Sequence, residues 1–250
     1  MEARTLTYFV ADVHLGLDVK DPDARERRFV DFLRGIPAAR TEALYLLGDI
    51  WDFWFEYRDV APTGYARVFS ALMDLMDAGV RVYFFRGNHD IWLSGYFERL
   101  GMTVLEQPYV VQIGTKTLCL GHGDGLGPGM YAYKLMRAVF RSRFCRALYS
   151  LLPPRLAYAV GEGWSRRSRL ARSREYTFRG PDESLYKWAE AFSEGRHVDA
   201  FIFGHYHTDV HLTLPGGAEL FILKDWMDGA PYKVLDRTLD GVFGNSPKIE

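Results

Sequence analysis

Five short apolar runs recur along the chain, and each is followed at once by polar residues. The runs are rich in β-branched and aromatic residues, which is typical of buried strands, and they cover residues 6–11, 44–47, 80–85, 118–120 and 201–203. Segments of helical period lie between the first three runs, at about residues 23–34 and 65–77, and Gly79 follows the second as a helix C-cap would. This β-α-β-α-β order predicts a parallel sheet with helices on its face.

The C-terminal part shows shorter strand-like runs, at residues 210–214, 220–223 and 232–235. Pro215-Gly216-Gly217 separates the first two, and Asp228-Gly229 separates the last two. Such residues are typical of hairpin turns. We therefore predict that the second half of the sheet is antiparallel or mixed.

The segment from about residue 125 to 180 has its own pattern. A glycine-rich stretch at residues 125–129 is followed by a helical run from Met130 to about Leu152, and a second helical run follows Pro153-Pro154. Between Lys134 and Arg179 the chain carries 12 lysines and arginines against two acidic residues, so this segment is strongly basic. We expect one domain over residues 1–250, with these helices inserted as a cap.

The first of these helical runs is apolar on two sides. One face carries apolar residues at spacings of three and four, namely Met136, Phe140, Phe144, Leu148, Leu151 and Leu152. Leu135 and Val139 lie on another face, and basic residues lie between the two. Such a helix fits a lipid chamber or a membrane surface, but also core packing, a solvated face or a nucleic-acid strand. The aromatic cluster Trp51, Phe53, Trp54 and Phe55 favours lipid.

Composition and charge narrow the class of protein. A chain of 250 residues with 48% hydrophobic and 15% aromatic content can form a sizeable core, and its net charge of −1 gives no general case for nucleic acid. Cys119 and Cys145 lack a Cys-x-x-Cys spacing, the N-terminus lacks a signal-peptide pattern, and no apolar stretch approaches the ~20 residues that span a bilayer. We expect a cytoplasmic protein.

Candidate metal ligands follow all five predicted strands in five short sequence blocks, and five of the seven histidines, His89 included, lie in these blocks. The ligands are Asp12, His14, Asp49, Asn88, His122, His205 and His207. In open α/β sheets, bound molecules and ions lie at the carboxyl ends of the strands, so the fold would bring these residues together. Each block alone also occurs in ordinary turns, but five in order indicate a metal centre.

The ligand types suit two divalent ions about 3.5–4 Å apart, which need one bridging carboxylate. We expect Asp49 to bridge. The other ligands divide into Asp12, His14 and His207 at one ion, and Asn88, His122 and His205 at the second. Imidazole and carboxylate ligands admit Mn²⁺, Fe, Zn²⁺ or Co²⁺.

His89 follows the ligand Asn88, and Asp90 follows His89. We expect His89 to act as a general acid for the leaving oxygen, with Asp90 holding its tautomer. The alternative is that His89 only binds a phosphate oxygen or packs. For Asp52 and Asp124, near the blocks, a capping or supporting role is expected before direct chemistry, and His197 and His211 are expected to be bystanders.

These blocks resemble the calcineurin-like metallophosphoesterase superfamily over nearly the whole chain. The segment Leu47 to Trp54, the motif His122-Gly123-Asp124-x-Leu126, the basic helical insertion and Trp226 resemble one family within it, UDP-2,3-diacylglucosamine hydrolase of lipid A biosynthesis. The resemblance implies an α/β fold built as a four-layer α-β-β-α sandwich with a helical lipid-binding cap. It implies two Mn²⁺ ions and water attack on the α-phosphorus, giving UMP and 2,3-diacylglucosamine 1-phosphate.

The resemblance also implies partners and substrate contacts. The partners would be a UDP-linked acylated glucosamine lipid and the cytoplasmic face of the inner membrane, bound peripherally, with neither nucleic acid nor an obligate protein partner favoured. The candidate substrate contacts are Trp54, Asp124, Tyr133, Arg137, Ser165, Arg169 and Arg172. His89 departs from the Arg of well-known members. The alternatives are a metallophosphoesterase for another substrate, such as a nucleotide pyrophosphatase, phosphodiesterase or nuclease, and a non-catalytic scaffold, which would require lost ligands.

Overall fold

The computed structural model describes residues 3–57, 60–170, 176–239 and 243–245, with the backbone only for residues 166–170 and 245. The first sheet has six strands: β1 (Leu6–Val10), β2 (Thr41–Leu46), β3 (Arg81–Phe85), β4 (Thr103–Leu105), β10 (Lys233–Asp236) and β11 (Phe243–Asn245). Their order is β11-β10-β1-β2-β3-β4. Strands β1, β2 and β3 are parallel, as predicted. Strand β4, which was not predicted, continues the sheet parallel to β3, and β10 pairs antiparallel with β1.

The second sheet has five strands: β5 (Tyr109–Ile113), β6 (Lys116–Leu120), β7 (Ala200–Phe203), β8 (Val210–Thr213) and β9 (Glu219–Ile222). Their order is β5-β6-β7-β9-β8. The central strands β6, β7 and β9 are parallel, and both edge strands pair antiparallel. The predicted mixed character of this half is therefore confirmed.

Only one of the two predicted hairpins forms. Strands β8 and β9 pair across the turn at Pro215-Gly216-Gly217, where the Leu214 N–H donates to the Ala218 carbonyl at 2.8 Å. The hairpin predicted at Asp228-Gly229 is wrong, because β9 and β10 belong to different sheets. The segment that connects β9 with β10 crosses from one sheet to the other. Within this segment, the Trp226 N–H donates a hydrogen bond to the Asp12 carbonyl at 3.2 Å.

Four layers follow from the alternation of side chains along the strands. Phe9 packs between the two sheets, whereas Tyr8 and Val10 point to the opposite face, under α1 (Pro22–Gly35) and α2 (Ala66–Asp77). Helix α3 (Tyr96–Arg99) precedes β4, and α7 (Ser184–Ser193) covers the outer face of the second sheet. The predicted α-β-β-α sandwich and its two leading helices are confirmed.

The described residues between β6 and α7 form three α-helices, α4 (Tyr131–Arg141), α5 (Arg143–Tyr149) and α6 (Pro154–Leu170), which are called the cap helices below. The single helical run predicted up to Leu152 is wrong, because Ser142 is extended and its Oγ accepts the Cys145 N–H at 3.4 Å, capping α5. Phe144 is therefore 76% exposed and does not continue the face of Phe140. Among the described residues, no helix is long and apolar enough to cross a bilayer.

Candidate metal centre

The seven predicted ligand residues follow the strands β1, β2, β3, β6 and β7. Ligand atoms of Asp12, His14, Asp49 and His207 all lie within 4.8 Å of one another. Five of the seven residues have left-handed backbone, with φ between 51° and 72°: Asp12, His14, Asp49, His205 and His207. Left-handed non-glycine residues cost about 1–3 kcal/mol each and cluster at functional sites. The strand ends are thus bent to aim these side chains at one point.

The first group of ligands converges on one oxygen of Asp12. His207 Nε2 lies 3.3 Å and His14 Nε2 3.6 Å from Asp12 Oδ1, and the two nitrogens lie 3.2 Å apart. Asp12 Oδ2 accepts the His205 backbone N–H at 2.8 Å. Asp12 Oδ1 is buried and has no hydrogen-bond donor in the described part of the chain. A buried carboxylate oxygen facing two imidazole nitrogens is a fitting cradle for a divalent cation.

The second group lies around His122. Its Nε2 is 3.4 Å from Asp49 Oδ2 and 3.2 Å from Asn88 Oδ1, and its ring centroid is 5.1 Å from that of His205. Asp49 also lies within reach of the first group, which suits a bridging carboxylate. The donor set therefore fits two adjacent divalent ions.

Hydrogen bonds outside the two groups orient the imidazoles. His122 Nδ1 donates to the Leu47 carbonyl at 3.0 Å, and His207 Nδ1 lies 3.2 Å from Asp225 Oδ2. Such partners fix the ring so that Nε2 faces the metal side. Sequence reasoning missed Asp225, although its position just after β9 repeats the strand-end placement of the ligands.

Glycines next to the ligands permit a close approach of the loops. A Cβ at Gly87 would collide with the Asp49 carboxylate, and a Cβ at Gly204 would collide with that of Asp12. A Cβ at Gly48, where φ is +90°, would lie 2.9 Å from His122 Nδ1. These contacts explain why glycine precedes Asp49, Asn88 and His205 in the sequence.

The buried carboxylates and imidazoles of the site shift one another's pKa values. Burial lowers the pKa of His122, but the charge of Asp49 outweighs it and raises this pKa to about 10. Burial is likewise outweighed at His207, where Asp12 and Asp225 raise the pKa to about 9. His205 differs, since burial and the charge of His122 lower its pKa to about 4. Without metal, protons on two imidazoles balance the buried carboxylates.

His89 is held differently from our expectation. Its Nδ1 lies 2.9 Å from the Asp52 carbonyl oxygen and 3.1 Å from Ser165 Oγ, and its Nε2 lies 3.9 Å from Asp49 Oδ2. The prediction that Asp90 holds the His89 tautomer is wrong. Successive side chains diverge here, and the fully buried Asp90 carboxylate accepts four backbone N–H groups, those of Asp49, Ile50, Trp51 and Gly87. Asp90 therefore shapes the ligand loops.

An apolar cavity of about 270 Å³ opens beside Asn88 and His89. Three candidate substrate contacts line it: Tyr133, Arg137 and Ser165. The remaining lining is mainly apolar and includes Phe53, Trp92, Met136, Val139, Phe140, Val160 and Trp164. Most of these residues belong to the cap helices, which thus form one wall of the site.

Other candidate contacts lie elsewhere. The prediction for Trp54 is wrong, because its ring is buried in the core against Phe97 and its Nε1–H donates to Glu56 at 3.0 Å. Asp124 is only 1% exposed. Its carboxylate accepts hydrogen bonds from Gln107 Nε2–H and the Tyr133 hydroxyl and forms an ion pair with Arg137, whose Nε lies 2.7 Å from Asp124 Oδ2, so it anchors α4 rather than meeting substrate. Arg172 and the side chain of Arg169 lie outside the described residues.

Residues 6–209 match the calcineurin-like phosphoesterase family. Several bacterial relatives named UDP-2,3-diacylglucosamine hydrolase are also similar. The Porphyromonas gingivalis protein is 35% identical over 252 residues, covering 94% of this chain and 95% of the relative. The Aeromonas salmonicida protein is 32% identical, covering 89% and 86%. The Stenotrophomonas maltophilia protein is 31% identical, covering 89% and 91%.

Proposed function

The chain belongs to the calcineurin-like phosphoesterase family, and we propose that it hydrolyses the pyrophosphate bond of UDP-2,3-diacylglucosamine to UMP and 2,3-diacylglucosamine 1-phosphate. One observation carries the proposal: an apolar cavity opens directly beside the candidate metal ligand Asn88 and beside His89. A site for diphosphate chemistry next to an apolar chamber suits a lipid diphosphate better than a soluble nucleotide.

In this proposal the chain holds two divalent ions, Mn²⁺ by preference. Asp12, His14 and His207 would bind one ion, Asn88, His122 and His205 the other, and Asp49 both. When bound, the ions activate a water molecule and neutralise charge that develops on the phosphate during attack at the α-phosphorus. The buried Asp12 Oδ1, which lacks a hydrogen-bond donor among the described residues, supports this assignment.

His89 is the residue that we propose to act on the reacting phosphate. Its Nδ1 is occupied by hydrogen bonds, and Nε2 is the ring nitrogen nearer Asp49. A cationic ring would donate Nε2–H to the leaving oxygen or to a phosphate oxygen and stabilise the negative charge there. The leaving oxygen belongs to the sugar 1-phosphate in this reaction.

We propose that the cap helices, inserted in a single domain, bind the acyl chains. The ring centroid of Phe140 lies 5.4 Å from that of Trp92 and 6.1 Å from that of Trp164, so aromatic groups from two parts of the chain enclose the cavity. Each buried methylene of an acyl chain would contribute about 0.8 kcal/mol of binding free energy. Several methylenes in the cavity would therefore dominate the affinity for the lipid part.

Exposed apolar and basic residues around the mouth of the cavity support the proposal that the protein binds peripherally at the cytoplasmic face of the inner membrane. Val139, Val160 and Trp164 both line the cavity and are 45%, 48% and 60% exposed. Further exposed apolar residues are Leu135, Phe144, Leu148 and Leu156 of the cap helices and Leu151 between α5 and α6, and Arg143 and Arg155 are exposed beside them. A surface of anionic headgroups attracts each basic residue by about 1 kcal/mol. Acyl chains could then enter the cavity from the bilayer.

A comparison of two substrates tests the proposal. UDP-2,3-diacylglucosamine and UDP-N-acetylglucosamine are each incubated with the Mn²⁺-loaded protein in detergent, and UMP release is followed. We expect kcat/KM to be at least about 100-fold higher for the acylated substrate, since several buried methylenes contribute. Equal rates for both, or hydrolysis only of a generic phosphodiester or of single-stranded DNA, would contradict the lipid assignment in favour of another phosphoesterase activity.

A further inference from the structure

Two tyrosine rings that belong to no cap helix border the candidate metal centre next to His205. The ring centroid of Tyr206 lies 5.5 Å from that of His205 and 5.3 Å from that of Tyr176. Neither tyrosine lines the apolar cavity, which opens beside Asn88. The two rings therefore extend from a candidate metal ligand along a surface that is distinct from the proposed acyl-chain site.

The Tyr176 side chain is accessible to solvent and yet held in place. Tyr176 is 45% exposed, and its hydroxyl donates a hydrogen bond to the Glu183 carboxylate. Glu183 is only 2% exposed, and the same carboxylate oxygen accepts Arg179 Nε–H at 2.8 Å. Because one buried carboxylate fixes both side chains, an aromatic face and a guanidinium that is 64% exposed lie next to each other at the surface.

Core packing accounts for the neighbouring aromatic residues but not for Tyr176. Tyr206 and Phe178 pack against the buried cluster under α7, and their ring centroids lie 5.8 Å apart. Among the described residues, the ring of Tyr176 pairs with that of Tyr206 alone. A tyrosine that is already fixed at the surface can receive a planar ligand with little further loss of side-chain entropy.

A nucleobase is a ligand that these groups fit. Every base has a π-face that stacks on an aromatic ring, and a guanidinium supplies N–H donors but no acceptor. Uracil presents two carbonyl oxygens, which accept hydrogen bonds, so the exposed guanidinium of Arg179 complements its edge. The base of a nucleotide lies one ribose away from the phosphate. A phosphate at His205 would therefore bring the base to Tyr206 and Tyr176.

We propose that Tyr176 and Arg179, supported by Tyr206, bind the uracil base of the substrate. The two ends of the substrate would then bind at different sides of the metal centre, the acylated sugar in the apolar cavity and the uridine on the Tyr176 ring. Contacts to the base would favour a UDP-linked lipid over a lipid diphosphate that lacks a nucleoside. This inference rests on the proposed function for the identity of the base.

The binding of two phosphate monoesters tests the inference. Titration calorimetry with the Mn²⁺-loaded protein compares UMP with ribose 5-phosphate, which lacks the base. We expect UMP to bind about tenfold more tightly, because stacking of one base on an aromatic ring typically contributes this much. Tyr176→Ala should remove most of this difference and leave the affinity for ribose 5-phosphate unchanged. Tyr176→Phe, which keeps the ring, should retain most of the difference.

Tyr131→Ala is the matched control, since Tyr131 is 82% exposed at the first residue of α4 and should not affect either affinity. Thermal unfolding and bound Mn²⁺ are measured for every variant. Equal affinities of the wild type for UMP and ribose 5-phosphate would overturn the inference without any variant. An unchanged affinity of Tyr176→Ala for UMP, or an equal loss for both ligands, would also overturn it.

The same measurements separate this inference from the proposed function, because neither ligand carries an acyl chain. A preference for UMP that Tyr176→Ala abolishes, without hydrolysis of UDP-2,3-diacylglucosamine, would support the base site and contradict the proposed lipid substrate alone. Hydrolysis of UDP-2,3-diacylglucosamine by a protein that does not prefer UMP over ribose 5-phosphate would contradict the base site alone.

Discussion

The Asp225 carboxylate lies 3.2 Å from Nδ1 of His207, while Nε2 of the same ring faces Asp12 at 3.3 Å. The imidazole is thus held between two carboxylates, one on the proposed metal side and one behind it. Burial raises the pKa of Asp225, but the hydrogen bond to His207 outweighs it and holds this pKa below its usual value. Asp225 therefore keeps its charge and fixes the orientation of the His207 ring, a candidate metal ligand.

Replacing Asp225 by Asn should weaken metal binding, because the ring loses the carboxylate that orients it. We expect the Kd for Mn²⁺ to rise about tenfold, as removal of such supporting groups typically costs 10–100-fold. Titration against a fluorescent chelator measures this Kd. Asp228→Asn is the control, since Asp228 forms an exposed ion pair with Lys20 at 2.6 Å. Equal affinities in both variants would show that Asp225 does not support the centre.

A methyl group at Gly204 should damage the metal centre directly. Gly204→Ala places a Cβ against the Asp12 carboxylate, so we expect loss of at least one bound ion and a reduced free energy of unfolding. Gly163→Ala is the matched control in α6, where the added Cβ meets nothing within 4 Å. This control should raise the free energy of unfolding by about 0.5–1 kcal/mol. Full metal occupancy in Gly204→Ala would contradict the close approach.

Metal binding should release protons. His122 and His207, with pKa values of about 10 and 9, carry protons at pH 7 without metal and must lose them to bind an ion. We therefore expect about two protons released at pH 7 and an affinity that rises with pH, whereas His205, with a pKa of about 4, releases none. Calorimetry in buffers of different ionisation enthalpy counts these protons. A count of zero would refute the assignment of both imidazoles.

The same shifts predict the pH dependence of the metal-free fold. Raised histidine pKa values stabilise the folded state fully below the unfolded pKa of about 6.5, and this contribution is lost as the pH rises through the folded values. We therefore expect the metal-free protein to lose stability between pH 6.5 and about 10 through His122 and His207. Urea unfolding across this range measures the effect, and bound metal should remove it.

The exposed face of the cap helices should control membrane binding. Leu148→Glu places a charge on an apolar side chain that is 58% exposed, so we expect weaker sedimentation with vesicles that contain phosphatidylglycerol. Leu239→Glu is the control, because Leu239 is 62% exposed and lies far along the chain from the cap helices. An equal reduction in both variants would show that this face does not contact the bilayer.

The positions of the candidate ligands could be predicted because strand ends are a simple geometric signal. A short apolar run followed by Asp12 or His122 defines where a side chain emerges, and parallel strands bring such ends together. The role of Asp225 was not predicted, because its neighbour is Trp226 and no second candidate ligand lies at a short spacing from it. Asp225 lies in the segment that connects β9 with β10, and these two strands belong to different sheets.

Directions of side chains were harder to predict than their positions. Trp54 and Asp90 lie next to cavity-lining residues, yet both point into the interior, because successive residues of an irregular loop diverge. The break between α4 and α5 at Ser142 was not predicted, for a different reason. Apolar periodicity continues across it, although a serine at a helix N-cap is itself a start signal.

The most direct test of the account is the reaction of UDP-2,3-diacylglucosamine in H₂¹⁸O with the Mn²⁺-loaded protein and with its Asp49→Ala variant. Mass spectrometry follows the label in both products. We predict metal-dependent turnover that places ¹⁸O in UMP, as the proposed attack of water on the α-phosphorus requires, and loss of turnover in the variant, which lacks the carboxylate that we propose to bridge the ions. Absence of UMP from the wild type, label in the sugar phosphate, or full activity of Asp49→Ala would contradict the account.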